Sequence, residues 1–184
     1  SKGGIIPGVP YESAYLEQAC NDSLQRLGVE YLDLYQIHRP DMLTHPQETA
    51  RVLQRLKDSG KVRTFGVSNC TTSQTSARMA YLPGEIISQQ PQYSALHLDP
   101  LFDGTFDQCM QHQQPPVGWS PLAGGFLSGK FSRSGSSDPD SRRATFKFPP
   151  VDETRGFDII DAMQLIATAH EVSIAQIALA WLLH

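Results

Sequence analysis

The sequence is short of cysteine, of charge and of long apolar runs, and each shortage narrows what the chain can be. Its three cysteines, Cys20, Cys70 and Cys109, are an odd set with no CxxC spacing. That argues against a disulfide framework or a structural zinc site and suits a reducing, cytoplasmic setting. No metal site is expected. Charged residues are 18% of the chain and the formal net charge is -4, with no basic run, so neither nucleic acid nor an anionic membrane is expected as a partner. No stretch of 18 apolar residues exists that could span a bilayer. A GxGxxG motif is also absent, which disfavours a Rossmann dinucleotide fold. The oligomeric state has no signature in the sequence.

The chain opens Ser1-Lys2-Gly3-Gly4, with neither an initiator Met nor a signal peptide. It stops at Ala180-Trp181-Leu182-Leu183-His184, inside an apolar helical run, so both ends are expected to be cuts. What lies between is 40% hydrophobic, enough for a buried core.

Short β-branched and aromatic runs alternate with longer segments of helical period, the pattern of repeated βα units around a parallel sheet. Leu16, Cys20, Leu24 and Leu27 form one apolar stripe of a helix that should end at Gly28. Residues 31–37 read as a strand running into His38. A helix follows from Pro46, with Ala50, Leu53 and Leu56 inward and a stop at Ser59-Gly60. Residues 62–67 form the next strand, entering Ser68-Asn69. Thr71 and Gln74 have the spacing of a capping box for a helix through Met79 and Tyr81. Residues 86–90 are a strand, 99–112 a helix, and Val117-Gly118-Trp119 begins a further strand.

From Ser120 to about Glu153 the rhythm breaks into a long Gly-, Ser-, Pro- and Arg-rich loop, and loops of that length are usually functional. Two helices close the chain. The first carries Ile159, Met163, Ile166 and His170 on one stripe. The second is capped by Ser173 and Gln176 and carries Ile177, Ala178, Trp181 and Leu182. The strand spacing matches an α/β fold of the (β/α)8 barrel (TIM barrel) type, which needs roughly 250 residues. Four clear strands and a stub at Lys2 therefore predict an incomplete barrel.

In such barrels the reactive groups sit at the C-terminal ends of the strands. Lys2, His38, Ser68-Asn69, Gln90 and Trp119-Ser120 fall at consecutive strand ends and are expected to share one mouth. Taken singly, each has a plainer reading: a hydrogen-bonded histidine, a surface lysine, a helix cap, a turn amide, a core tryptophan. Their joint placement is what favours a site.

Residues 24–41, LQRLGVEYLDLYQIHRPD, resemble the aldo-keto reductase signature around a catalytic histidine. Residues 60–69, GKVRTFGVSN, resemble that family's second motif. Gln89-Gln90-Pro91-Gln92-Tyr93-Ser94 sits where the family reads Asn-Gln and an extended segment, with Gln89 in place of the usual Asn. Trp119-Ser120-Pro121-Leu122-Ala123-Gly124-Gly125 and Ser128-Gly129-Lys130-Phe131 resemble the cofactor loop of the branch that includes bacterial oxidoreductases and potassium-channel β subunits. The matches run in order along nearly the whole chain, which is thereby identified as one partial aldo-keto reductase barrel domain over residues 1–184, without its first two strands and its last.

The resemblance implies an NADPH-dependent oxidoreductase that reduces a small aldehyde or ketone by hydride transfer, using a tetrad of Asp, Tyr, Lys and His. Lys2 and His38 occupy the Lys and His positions. The ammonium would lower the tyrosine's high proton affinity, and His38 would hold the carbonyl oxygen. Ser68, Asn69 and Gln90 would hydrogen-bond the nicotinamide carboxamide, and Trp119 would stack on the ring. Ser120, Pro121, Leu122, Ala123 and Gly124 would line the approach to the pyrophosphate. Lys130 would add charge, and Arg142 or Arg143 would reach the phosphates.

The Asp and Tyr are expected upstream of Ser1, and the 2′-phosphate site beyond His184, so preference for NADP over NAD rests on the resemblance alone. The 184 residues by themselves are expected to be inactive. The alternative is a regulatory protein of the same fold that binds the cofactor without significant turnover.

Overall fold

The computed structural model describes residues 1–4, 13–131, 133 and 151–183. They fall in two compact units, Ser1–Pro91 with Leu101–Val117, and Gln92–Pro100 with Gly118–His184.

The first unit is a four-stranded parallel sheet in the order β1 (Lys2–Gly3), β2 (Leu32–Ile37), β3 (Val62–Ser68) and β4 (Ile86–Gln90). Its crossovers are α1 (Ser13–Leu27), α2 (Pro46–Asp58) and α3 (Thr72–Met79), with α4 (Thr105–Gln111) following β4. Parallel strands need such crossovers, and helices covering one face leave the other to face a barrel interior.

Several local signals act as read. α1 ends in a Schellman motif: the Gly28 N–H donates to the Gln25 carbonyl and the Val29 N–H to the Leu24 carbonyl, both at 3.2 Å, with Gly28 at φ 66°. Leu27, expected inward, is exposed, because the buried stripe of Leu16 and Cys20 stops short of this chain reversal. In α2, Ala50, Leu53 and Leu56 are buried, and the helix stops at Ser59-Gly60. Both halves of the Thr71–Gln74 capping box form. The core on this face gathers Leu16, Cys20, Tyr35, Ile37, Leu53, Val62, Phe65 and Val67.

Two expectations need correction here. The helix over 99–112 is interrupted: a 3-10 turn at Asp99–Leu101 gives way, through Gly104 at φ 84°, to α4. A left-handed residue cannot sit inside an α-helix, so the regular turn begins only at Thr105. The strand from Val117 is reduced to isolated parallel bridges, Gln89 to Pro116 in the first unit and Gln92 to Trp119 in the second. Pro116 has no N–H to donate, and only the Val117 N–H reaches the Gln89 carbonyl, at 2.8 Å.

The second unit packs α5 (Glu153–Ala169) and α6 (Ile174–Trp181) on a 3-10 segment, Ala123–Ser128. The stripe of α5 is rotated from the expected one: Gly156, Ile160, Met163 and Ala167 are buried, while Ile166 and His170 are exposed. The cause is Phe126. A Cβ at position 156 would lie 2.5 Å from its ring, so glycine alone lets the helix lean there. Phe126 also meets Phe157 at 5.1 Å and stacks on Phe131 at 5.8 Å. In α6 the Ser173–Gln176 capping box forms, and Trp181 tilts against Tyr93 at 5.5 Å. Among the described residues no helix is long and apolar enough to cross a membrane.

Candidate active site

Alternation along parallel strands decides which residues can meet. Lys2, Gln36, Gly66 and Ser88 are register partners across all four strands. Two residues further along the same face come His38, Ser68 and Gln90, with Ser68 paired to Gln90. The intervening residues, Gly3, Ile37, Val67 and Gln89, point towards the helices. The structure thus brings Lys2, His38, Ser68, Asn69 and Gln90 together at adjacent ends of one sheet.

The lower layer is polar and closely fitted. The Gln36 amide donates to the Ser88 hydroxyl at 3.3 Å, and both side chains are buried. A Cβ on Gly66 between them would lie 2.5 Å from Ser88 Oγ. On the opposite face, a Cβ on Gly3 would lie 1.9 Å from the Tyr35 hydroxyl. Glycine at position 3 is therefore what lets the Lys2 segment lie beside β2, where the His38 N–H donates to the Gly3 carbonyl at 2.8 Å.

The upper layer is tied corner to corner. Asn69, left-handed at φ 56°, donates its amide to the His38 carbonyl at 2.8 Å and to Ser68 Oγ at 3.2 Å. The Ser68 hydroxyl donates to the Gln90 main-chain carbonyl at 2.8 Å, and the Asn69 N–H donates to the same oxygen at 3.3 Å. One atom is left over. Gln90 Oε1 is buried without a hydrogen-bond partner among the described residues. An orphaned buried acceptor calls for an external donor.

Electrostatics favour an uncharged ring at His38. Burial lowers its proton affinity most, and the positive charges of Lys2 and then Arg39 lower it further. Burial likewise lowers the Lys2 ammonium. The folded protein therefore holds His38 neutral to lower pH than the unfolded chain does. The sign follows: in that interval the unfolded chain binds more protons, so His38 costs stability as pH falls from the ordinary imidazole range through the folded value. An NMR titration should place its midpoint below the free-imidazole value, and Lys2→Ala should raise it only in part, since burial remains. A midpoint at or above the free value would contradict this electrostatic picture.

The second unit carries the other expected group. The Trp119 carbonyl accepts from the Tyr93 N–H at 3.2 Å. Ser120 (φ 57°), Ala123 (φ 49°), Gly124 (φ 67°) and Gly125 (φ 96°) are all left-handed. Their turn is closed from within: Ser120 Oγ accepts from Gly124 N–H at 3.0 Å, the Ser120 carbonyl from Ala123 N–H at 2.9 Å, and the Leu122 carbonyl from Gly125 and Leu127 N–H. The N–H groups of Ala123 and Gly124 are therefore engaged inside the loop. Pro121 and Leu122 are half-buried, and Lys130 is exposed. Arg142 and Arg143 lie outside the described residues.

Sequence reasoning missed the buried amide cluster behind Gln90, in which Gln89 donates to Gln108 and Gln114. Amide pairs so far apart in sequence have no periodic signature. No thiol competes as a nucleophile: burial raises all three cysteines, Cys109 to about 11. Among the described residues no cluster of His, Cys, Asp or Glu could hold a metal ion.

The profile of the Aldo/keto reductase family matches residues 7–184, and the chain belongs to that family. It is 40% identical over 185 residues to a 6-dehydroglucose reductase of Novosphingobium aromaticivorans, covering 100% of this chain and 54% of that protein. The structure is similar to glycerol dehydrogenase from Gluconobacter oxydans, with a TM-score of 0.80 and 29% identity, covering 95% of this chain and 53% of that one. It is also similar to an aldo/keto reductase from Klebsiella pneumoniae in complex with NADP and acetate (TM-score 0.67, 28% identity, 94% and 52% covered). The chain spans about half the length of these relatives. The parallel sheet with its outer helices is part of their (β/α)8 barrel.

Proposed function

We propose that the full-length protein is an NADP-dependent oxidoreductase that reduces a small aldehyde or ketone to the alcohol, and that residues 1–184 form part of its single barrel domain. The observation that carries this reading is the unsatisfied Gln90 Oε1 beside the Ser68–Asn69 corner. A nicotinamide carboxamide has the N–H donor that atom lacks. Ser68 and Asn69 hold the corner in shape, and Gln90 would orient the amide and so select the ring face.

The reduced nicotinamide supplies the hydride when bound. His38, held neutral, would donate an N–H to the carbonyl oxygen and orient it. Lys2 would lower the proton affinity of a proton-donating tyrosine. In the second unit, Trp119 would stack on the ring. Ser120, Pro121, Leu122, Ala123 and Gly124 would line the pyrophosphate's path, and Lys130 and Arg143 would add positive charge. The family match, and the NADP present in the Klebsiella pneumoniae relative, support the choice of cofactor.

NADPH oxidation by the full-length protein, followed against a panel of small aldehydes and ketones, tests the reading. Turnover of at least one carbonyl is expected. NADPH binding without turnover of any would favour the regulatory alternative, and no binding would overturn both. The isolated 184 residues are expected to oxidise NADPH no faster than buffer.

A further inference from the structure

Behind the Gln90 side of β4, three glutamines far apart in sequence meet out of solvent. Gln89 is 2% exposed, Gln114 3% and Gln108 8%. Gln89 Nε2 donates to Gln108 Oε1 and to Gln114 Oε1, each at 3.0 Å. Gln108 Nε2 donates onward to the Thr72 carbonyl at 3.0 Å and to Ser76 Oγ at 2.9 Å. Gln114 Nε2 donates to the Ile86 carbonyl at 2.6 Å, with Met79 Sδ at 3.6 Å. Every amide hydrogen of the three is engaged. A buried polar network whose donors are all engaged is held to few arrangements.

The endpoints are what matter. Ile86 opens β4 and Gln89 lies near its end, so this strand is gripped at both ends. Thr72 and Ser76 belong to α3, which begins directly after Ser68, Asn69 and the cap Thr71. The relay therefore links the two halves of the carboxamide corner: Gln90, next to Gln89, and Ser68–Asn69, three residues before Thr72. A pleated strand makes the coupling rigid, because fixing the side chain of Gln89 on one face fixes the direction of Gln90 on the other.

We infer that Gln89, Gln108 and Gln114 are positioning residues for the nicotinamide, acting through Gln90 and the Ser68–Asn69 corner without touching the cofactor. This inference rests on the proposed function, because it assumes that the corner receives the carboxamide. It predicts a particular signature. Loosening the relay should weaken nucleotide binding and relax the choice of ring face, while the KM for the carbonyl stays put.

The test uses the full-length protein with Gln108→Met, which keeps length and apolar volume but removes both polar ends, and Ser76→Ala, which removes one bond near the surface. The Kd for NADPH is read by fluorescence titration. Ring-face choice is read from deuterium transfer out of stereospecifically labelled NADPH. Gln108→Met should raise Kd about tenfold, as expected for one buried hydrogen bond lost from a bound geometry. Deuterium should then appear from both faces of the ring. Ser76→Ala should show a smaller loss of affinity in the same direction.

Unchanged Kd and strict face selection in a folded Gln108→Met protein would overturn the inference while leaving the proposed function intact. If that variant does not fold, Ser76→Ala decides: unchanged Kd overturns the inference and raised Kd supports it. A wild-type protein that binds no NADPH would overturn the proposed function and this inference together.

Discussion

Replacing His38 with Ala in the full-length protein should lower kcat by roughly 10²–10³-fold, the usual scale for removing a positioned donor at a reacting oxygen. NADPH affinity should barely change. The reason is local: Asn69 reaches the main-chain carbonyl of residue 38, not its ring, so the bond survives in alanine. The His38 N–H to the Gly3 carbonyl survives for the same reason. Steady-state kinetics with a parallel nucleotide titration separates the cases. A fall in kcat alone places the imidazole on the carbonyl. A matching loss of NADPH affinity would make His38 a structural post, and an unchanged rate would remove it from the reaction.

The second large effect concerns folding. Gly3→Ala adds a methyl group where the Tyr35 hydroxyl already sits, 1.9 Å from the new carbon, with Tyr35 Cζ at 2.7 Å. Tyr35 is fully buried, and its hydroxyl lies 3.4 Å from the Leu16 carbonyl, so α1 closes off the way out. Overpacking of this kind costs about 1–3 kcal/mol, and this contact belongs at the upper end. At roughly 2–4 °C per kcal/mol for a protein of this size or larger, calorimetry should show Tm falling by about 6–12 °C. Combining Gly3→Ala with Tyr35→Phe removes the nearest clashing atom and should recover part of the loss. A Tm within a degree of wild type for Gly3→Ala alone would mean that β1 does not pack against Tyr35 as described.

The parts legible in the sequence were those governed by period and by caps. Parallel strands at 32–37, 62–68 and 86–90 follow from runs of β-branched and aromatic residues, and the residues at their ends follow from chain order alone. Thr71, Ser173 and Gly28 announced helix boundaries through their own backbone chemistry. Small residues doing a large residue's work were not legible. Counting apolar side chains favoured Ile159 and Ile166 over Gly156 and Ala167, yet the Phe126 ring needs a glycine's room at position 156. Gly104 hid for a similar reason, since a glycine does not declare its φ.

At the site, His38, Ser68, Asn69 and Gln90 could be read from position. Their hydrogen bonds could not: that Ser68 and Asn69 spend donors on Gln90 and His38, leaving Gln90 Oε1 alone, depends on strand register. The departure at Gln89 looked minor in the sequence. In the structure its extra methylene belongs to the side chain that reaches Gln108 and Gln114.

The loop from Ser120 to Gly129 has a consequence of a different kind. Two of its non-glycine residues, Ser120 and Ala123, hold left-handed backbone at roughly 1–2 kcal/mol each, and its own carbonyls and one hydroxyl consume the amide hydrogens that follow them. A segment locked this way has surrendered its conformational entropy during folding, before any ligand arrives. Binding against it would require little further ordering, so its contribution to affinity should appear mainly as slow dissociation from a ready-made surface. Exchanging Ala123 for glycine would relieve strain in the folded loop and widen the unfolded ensemble at the same time, two opposed effects on stability that originate in different states of the chain.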